Sequence, residues 1–219
     1  MAMDKIMEGW RQYLNEGIDS RIQAQVDRFI SNPELYITIR SFWGSYVEFM
    51  YTDAQGNILK DPKTGKMVGR VRMKYNANNQ FDQCYGKDAW VVKNADAVGG
   101  MGSLLYELAI EHASKNGKGL MADRFSVTDE ARTVWVKYSR RGDDIDKKQL
   151  DISKAHSEVP HKYPQLTADN PVDDCYQGSA IDHSGEEWHK DPLSSLYSKK
   201  GTPVTDMLPT SKLIIKNEN

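Results

Sequence analysis

Val98-Gly99-Gly100-Met101-Gly102-Ser103-Leu104-Leu105 sets three glycines at a junction between two patterned stretches. Before it, Ala89-Trp90-Val91-Val92 reads as a short buried strand. After it, residues 100–116 read as an amphipathic helix, with Leu104, Leu105, Leu108 and His112 or Ile110 inward, ending at Asn116-Gly117. Glycines between a strand and a helix let successive backbone N–H groups converge at the helix N-terminus, a geometry that suits a pyrophosphate. A plain tight turn meets the same spacing, so the flanking segments carry the reading.

Working upstream, Met67 to Tyr75 alternates like a strand, and Asp53–Gly56 and Asp61–Gly65 are turn signals. Tyr36-Ile37-Thr38-Ile39 and Tyr46-Val47-Glu48-Phe49-Met50-Tyr51 are rich in β-branched and aromatic residues, as strands are. Ile6, Trp10, Leu14, Ile18, Ile22, Val26 and Ile30 recur every four residues. On one straight rod that stripe drifts about 40° per step, so Gly17 and the capping residues Asp19 and Ser20 divide it into helices near 3–16 and 20–31. Downstream, Leu120-Met121-Ala122 is a short strand. Thr128 caps a last helix that sets Ala131, Val134, Trp135 and Tyr138 on one face. The order predicts an α+β or mixed α/β layer fold.

Composition divides the 219 residues unequally. Up to Gly142 there are 20 basic and 17 acidic residues; behind it there are 9 and 14, with six of the eight prolines. Proline at that density interrupts helices and central strands. The expected organisation is therefore an N-terminal helical arm over 1–32, a module over 33–142 and an extended acidic, proline-containing tail over 143–219. Aromatic and aliphatic residues persist along that tail, from Tyr163 and Trp188 to Leu213-Ile214-Ile215, so it is expected to lie against its own module or a partner. No apolar run approaches the roughly 18 residues of a membrane span, and the opening Met1–Lys5 leads into amphipathic sequence rather than a secretory signal. A net charge of -2 argues against general nucleic-acid binding. Two cysteines build no disulfide framework, and the composition reads as intracellular.

The glycine turn with its flanks resembles motif A of the GNAT N-acyltransferases: an apolar strand, Arg/Gln-x-x-Gly-x-Gly/Ala, then a helix opening with Leu-Leu. Here the strand is Trp90-x-Val92, the turn Ala97 to Gly102 and the helix Ser103 to Lys115. Ser126 to Tyr138 resembles the helix that follows in that family. The resemblance covers about residues 36–142 and is specific over 88–142. It implies a central, mostly antiparallel sheet flanked by helices. It also implies acetyl-CoA or another acyl-CoA held by Val92, Val98, Gly99, Gly100, Met101, Gly102 and Ser103. Two positions depart from the pattern: the family's Arg/Gln is Ala97, and its general-acid Tyr falls on Trp135, whose indole is a donor only. Tyr138, one helical turn on, and Asp123 are the candidates for acid and base, with Asp88 and Glu48 also on or beside strands.

Other groupings are read more plainly. Cys175, His183 and His189, with Asp182 or Glu186, fit no zinc spacing and read as solvated surface, so no metal is expected. Cys84 and Cys175 can pair only if the tail folds back over the module. His112 reads as a satisfied core or interface residue. Lys137 to Arg141 complements a helix dipole or, alternatively, meets a CoA 3′-phosphate. The chain also looks like GNAT-like proteins of tailed bacteriophages, on the Leu120 to Trp135 stretch and Asp173-Asp174-Cys175.

Two functional readings follow. One is a GNAT-fold component, catalytically silent, that assembles with protein partners through residues 1–32 and 143–219, as an oligomer or in a virion. The other is an acyl-CoA-dependent N-acetyltransferase acting on an amine. Ala97, Trp135 and the polar tail favour the first, in the host cytoplasm or a virion, with neither nucleic acid nor membrane as partner. An inhibitor or adaptor working through the acidic tail is a third.

Overall fold

In a computed structural model the described residues are 20–75, 88–153, 163, 165–167 and 169–218. The helix expected near 3–16 and Cys84 lie outside them. The first helix among the described residues, α1 (Ser20–Ser31), turns Ile22, Val26 and Phe29 into the core. Strands β1 (Tyr36–Phe42), β2 (Tyr46–Thr52), β3 (Gly69–Tyr75) and β4 (Ala89–Ala97) then run antiparallel in sequence order. In the long connection from β2 to β3, two aspartates fold the backbone. Asp53 accepts from the N–H groups of Gln55 and Asn57, and Asp61 from those of Lys63 and Thr64. The glycine turn leads from β4 into α2 (Gly102–Lys115), and β5 (Gly119–Met121) returns parallel to β4. Helix α3 (Asp129–Ser139) is capped by Thr128, whose hydroxyl accepts from Ala131 N–H.

Beyond residue 142 the chain departs from the expected extended tail. It supplies β6 (Ile145–Gln149), the short β7 (Asp151–Ile152) and β8 (Asp174–Cys175), α4 (Gly178–Ser184), β9 (Ser195–Lys199), α5 (Pro203–Met207) and β10 (Leu213–Glu218). The large sheet has the order β10-β1-β2-β3-β4-β5-β9-β6. Three of its eight strands therefore come from the expected tail, including both edges, and β9 pairs directly with β5 at Leu120↔Tyr197. Leu150, Trp188, Leu193, Leu196, Tyr197 and Val204 are buried. The prolines are compatible with this order. Pro192 and Pro203 sit in the first turn of a 3-10 segment and of α5, where the missing N–H would have no partner anyway. Here proline starts short helices rather than breaking long ones.

Both faces of the sheet are covered. Trp90 and Val92 point into the main core with Leu104, Leu105, Leu108 and the buried side of α1. Alternation turns Ala89 and Val91 to the other face, where they meet Met121, Leu150, Cys175 and Leu196. This is a mixed α/β architecture with a large, mostly antiparallel sheet. No helix among the described residues is long and apolar enough to cross a membrane.

Candidate anion-binding groove

The β4–β5 pairing ends early. Its last register pair is Val91↔Met121, while β4 runs on to Ala97 with only β3 beside it. The strands separate at a bulge: Met73 faces Val92 and Arg72 faces Asn94, leaving Lys93 as the extra residue. Lys93 turns outward and bonds Asp123 just past β5 (Nζ to Oδ2, 2.9 Å), and its ammonium lies over the Phe125 ring.

At the end of β4 the chain reverses through Gly99 and Gly100, with φ of 58° and 77°. This left-handed pair favours glycine. Met101 N–H closes the turn on Val98 C=O at 3.1 Å. A Cβ added at Gly99 or Gly100 would meet nothing within 4 Å, so the backbone is open to the outside there. Gly102 is constrained differently: its Cβ would lie 3.0 Å from that of Ala97. The N–H groups of Gly102 and Ser103 open α2 and have no acceptor in their own helix. Those of Gly99 and Gly100 have none among the described residues. Four donors are thus left at the turn and at the positive end of the helix that follows it.

Beside this turn lies a cavity of about 1060 Å³, bounded by α1, β3, the end of β4, α2 and α3. Lys60, Lys66 and Lys137 line it and have no ion pair among the described residues. Arg70 also lines it; its guanidinium bonds Asn94 and Asp96, and its Nε–H is buried without an acceptor among the described residues. Ala95, Ala97, Ala131 and Val134 supply an apolar stretch between the charged parts.

The wall made by α2 and α3 is ionic. Arg141 bonds Glu107 and Asp144; burial opposes its charge, but those bonds and their opposite charges hold its pKa above the ordinary value. Tyr138 is buried, in contact with Glu107. Burial first, then the Glu107 charge, push its hydroxyl well above the usual tyrosine range. Trp135 is 1% exposed and packs among Tyr106, Tyr138 and Tyr197.

The structure brings together Val98, Gly100, Gly102, Ser103 and Tyr138 around the cavity. Gly99 is open beside them, and Met101 contributes its carbonyl, which accepts from Tyr51 O–H at 3.0 Å. Val92 lies instead in the main core, and Asp123 is spent on Lys93 and on the N–H groups of Phe125 and Ser126. Asp88 accepts from the Tyr75 hydroxyl at the other end of β4, and Glu48 is paired with Arg72. Cys175, His183 and His189 do not converge: Cys175 is in the second core cluster, His183 bonds Val127 C=O, and His189 lies edge-on to Trp188.

Among the described residues, Asp151, Asp173 and Asp174 could converge on a cation, with ligand atoms within 4.8 Å. Asp151 already accepts from the N–H groups of Ile152, Leu166 and Thr167, and so fastens a loop. Sequence reasoning missed Gln25, Arg70, Glu107 and the two loop lysines at the groove. For Glu107 a signal existed, since it lies with Glu111 on the inward side of an apolar helix. The chain matches no family model, no curated protein and no solved structure.

Proposed function

We propose that the groove binds an acyl-CoA in a GNAT-like fold and that the chain is an acyl-CoA-dependent N-acyltransferase. The observation that carries this reading is the open turn: four N–H donors without a bond among the described residues, beside a cavity lined by Lys60, Lys66 and Lys137 and by Ala95 and Ala97 of β4. A pyrophosphate suits the donors and the helix dipole. A pantetheine arm suits the end of β4 from Lys93 to Ala97, whose edge β5 leaves unpaired. In the transfer the acceptor amine attacks the thioester carbonyl carbon and the C–S bond breaks. One proton leaves the amine nitrogen and one reaches the departing sulfur. Tyr138 lines the groove, and its hydroxyl, engaged with Glu107, is the candidate donor for that last step.

Acetyl-CoA at about a hundred times its dissociation constant stabilises a folded protein by about 2.7 kcal/mol, or roughly 5–10 °C in a domain of this size. Thermal melting with millimolar acetyl-CoA tests the reading, and an unchanged midpoint would sink it. A second reading keeps the fold without turnover, as an assembly component of a phage-like particle with protein partners. It is favoured by the burial of Trp135 and the engagement of Tyr138 with Glu107. Binding of acetyl-CoA with no thiol release against a panel of amines is the outcome that reading expects.

A further inference from the structure

Helix α1 reaches the glycine turn through one side chain. Gln25 Oε1 accepts from Leu104 N–H at 3.0 Å, while Nε2 donates to Ser103 Oγ at 2.6 Å and to Gly100 C=O at 3.2 Å. Leu104 is the third residue of α2, so its N–H is one of the donors an anion at the helix N-terminus would use. α2 has no cap of its own: Met101 precedes it without a side-chain bond. A neutral amide oxygen therefore holds the place of a charged one. Ile22 and Val26 fix the helix that delivers it, and Arg21, Ile22 and Gln25 all face the same cavity.

We propose that Gln25 is a built-in occupant of the anion site, which a phosphate ligand must displace to reach the innermost donor. The inference rests on the acyl-CoA reading of the groove and adds its regulation. Movement of α1 away from α2 frees Leu104 N–H; docking of α1 takes it back. Helix α1, which also bounds the cavity, thereby competes with the ligand for this donor.

The two roles predict opposite signs. If Gln25 competes, Gln25→Ala binds coenzyme A more tightly than the wild type, by about fivefold, the equivalent of one side-chain cap. Gln25→Glu keeps an acceptor at Leu104 N–H and adds a negative charge, so binding weakens by about tenfold or more. Calorimetric titration of coenzyme A into the three full-length chains reads both, and Gln25→Glu, which retains the cap, guards against a loss that is only unfolding. Equal affinities, or weaker binding by Gln25→Ala, overturn the competitor role while leaving the acyl-CoA reading intact. If none of the three binds, the acyl-CoA reading falls and takes this inference with it.

Discussion

Lys199 is the residue on which the inner wall of the groove depends. Its side chain is 1% exposed, and its ammonium lies 2.6 Å from Glu107 and 2.8 Å from Glu111. Glu111 in turn accepts from Val204 N–H, Thr205 N–H and the Thr205 hydroxyl, and so caps α5. Removing the one lysine leaves two buried carboxylates short of a counter-charge, which costs about 3–5 kcal/mol. Lys199→Met should lower the urea midpoint accordingly. The double variant with Glu107→Gln should lose less than the sum of the two single losses, since it also removes a carboxylate; additive losses would mean that the pair does not interact. A second residue sets a pH dependence. His112 is packed edge-on between Phe49 and Trp90, and burial, helped by Lys115, lowers its pKa to about 4. The folded state holds this ring neutral. The unfolded chain takes up its proton below about pH 6.5, so stability falls as pH drops from there to about 4. The total is at most about 3 kcal/mol. His112→Phe should remove this part of the acid-side loss in melting curves; an unchanged slope between pH 6.5 and 4 would show that other groups carry it.

At the scale of elements, the two ends of the described chain are fastened together. β10 lies parallel to β1, from Ile37↔Leu213 to Phe42↔Glu218. Just before it, Lys212 inserts its ammonium at the C-terminus of α1, where the carbonyls of Phe29, Asn32 and Leu35 accept from it. It also lies over the Phe29 and Tyr36 rings. Charge-assisted hydrogen bonds of this kind contribute about 1.5–3 kcal/mol. Lys212→Met should therefore speed amide exchange in α1 more than in α2; equal exchange in both would separate α1 from this contact. Such contacts also mark the limit of what the sequence discloses. The strand–turn–helix from Ala89 to Lys115 was legible because glycine spacing and apolar periodicity are local signals. β6, β9 and β10 were not, because strands such as Ser195-Leu196-Tyr197-Ser198-Lys199 mix polar and apolar residues and acquire partners only across long separations. Gln25 was invisible for the same reason, since an amide on one helix gives no sign that it caps another 79 residues away.

For the whole molecule, the low mean hydropathy of -0.67 does not mark a small module with a loose polar tail. Two of its acidic residues after position 142 hold the fold together. Asp151 fastens the loop near Thr167, and Asp191 accepts from Arg132, Ser184 and Leu193 N–H, binding the C-terminal segment to α3. From the sequence, a chain ended after Gly142 is expected to fold and fail only in assembly. The sheet order reverses that expectation. Such a chain loses β9 from beside β5, and with it Trp188, Leu193, Leu196, Tyr197 and Val204, all at most 2% exposed. Trp135 loses the Tyr197 ring 5.5 Å away, and Glu107 and Glu111 lose Lys199. Deleting one large core side chain costs about 2–5 kcal/mol, and a domain holds only about 5–15 kcal/mol in total. Five such losses exceed that margin before the exposed edge of β5 is considered. The truncated chain should show neither near-ultraviolet dichroism nor a cooperative urea transition, whereas the full chain shows both. A truncated chain that unfolds cooperatively would mean that residues 20–142 hold a sufficient core without β9.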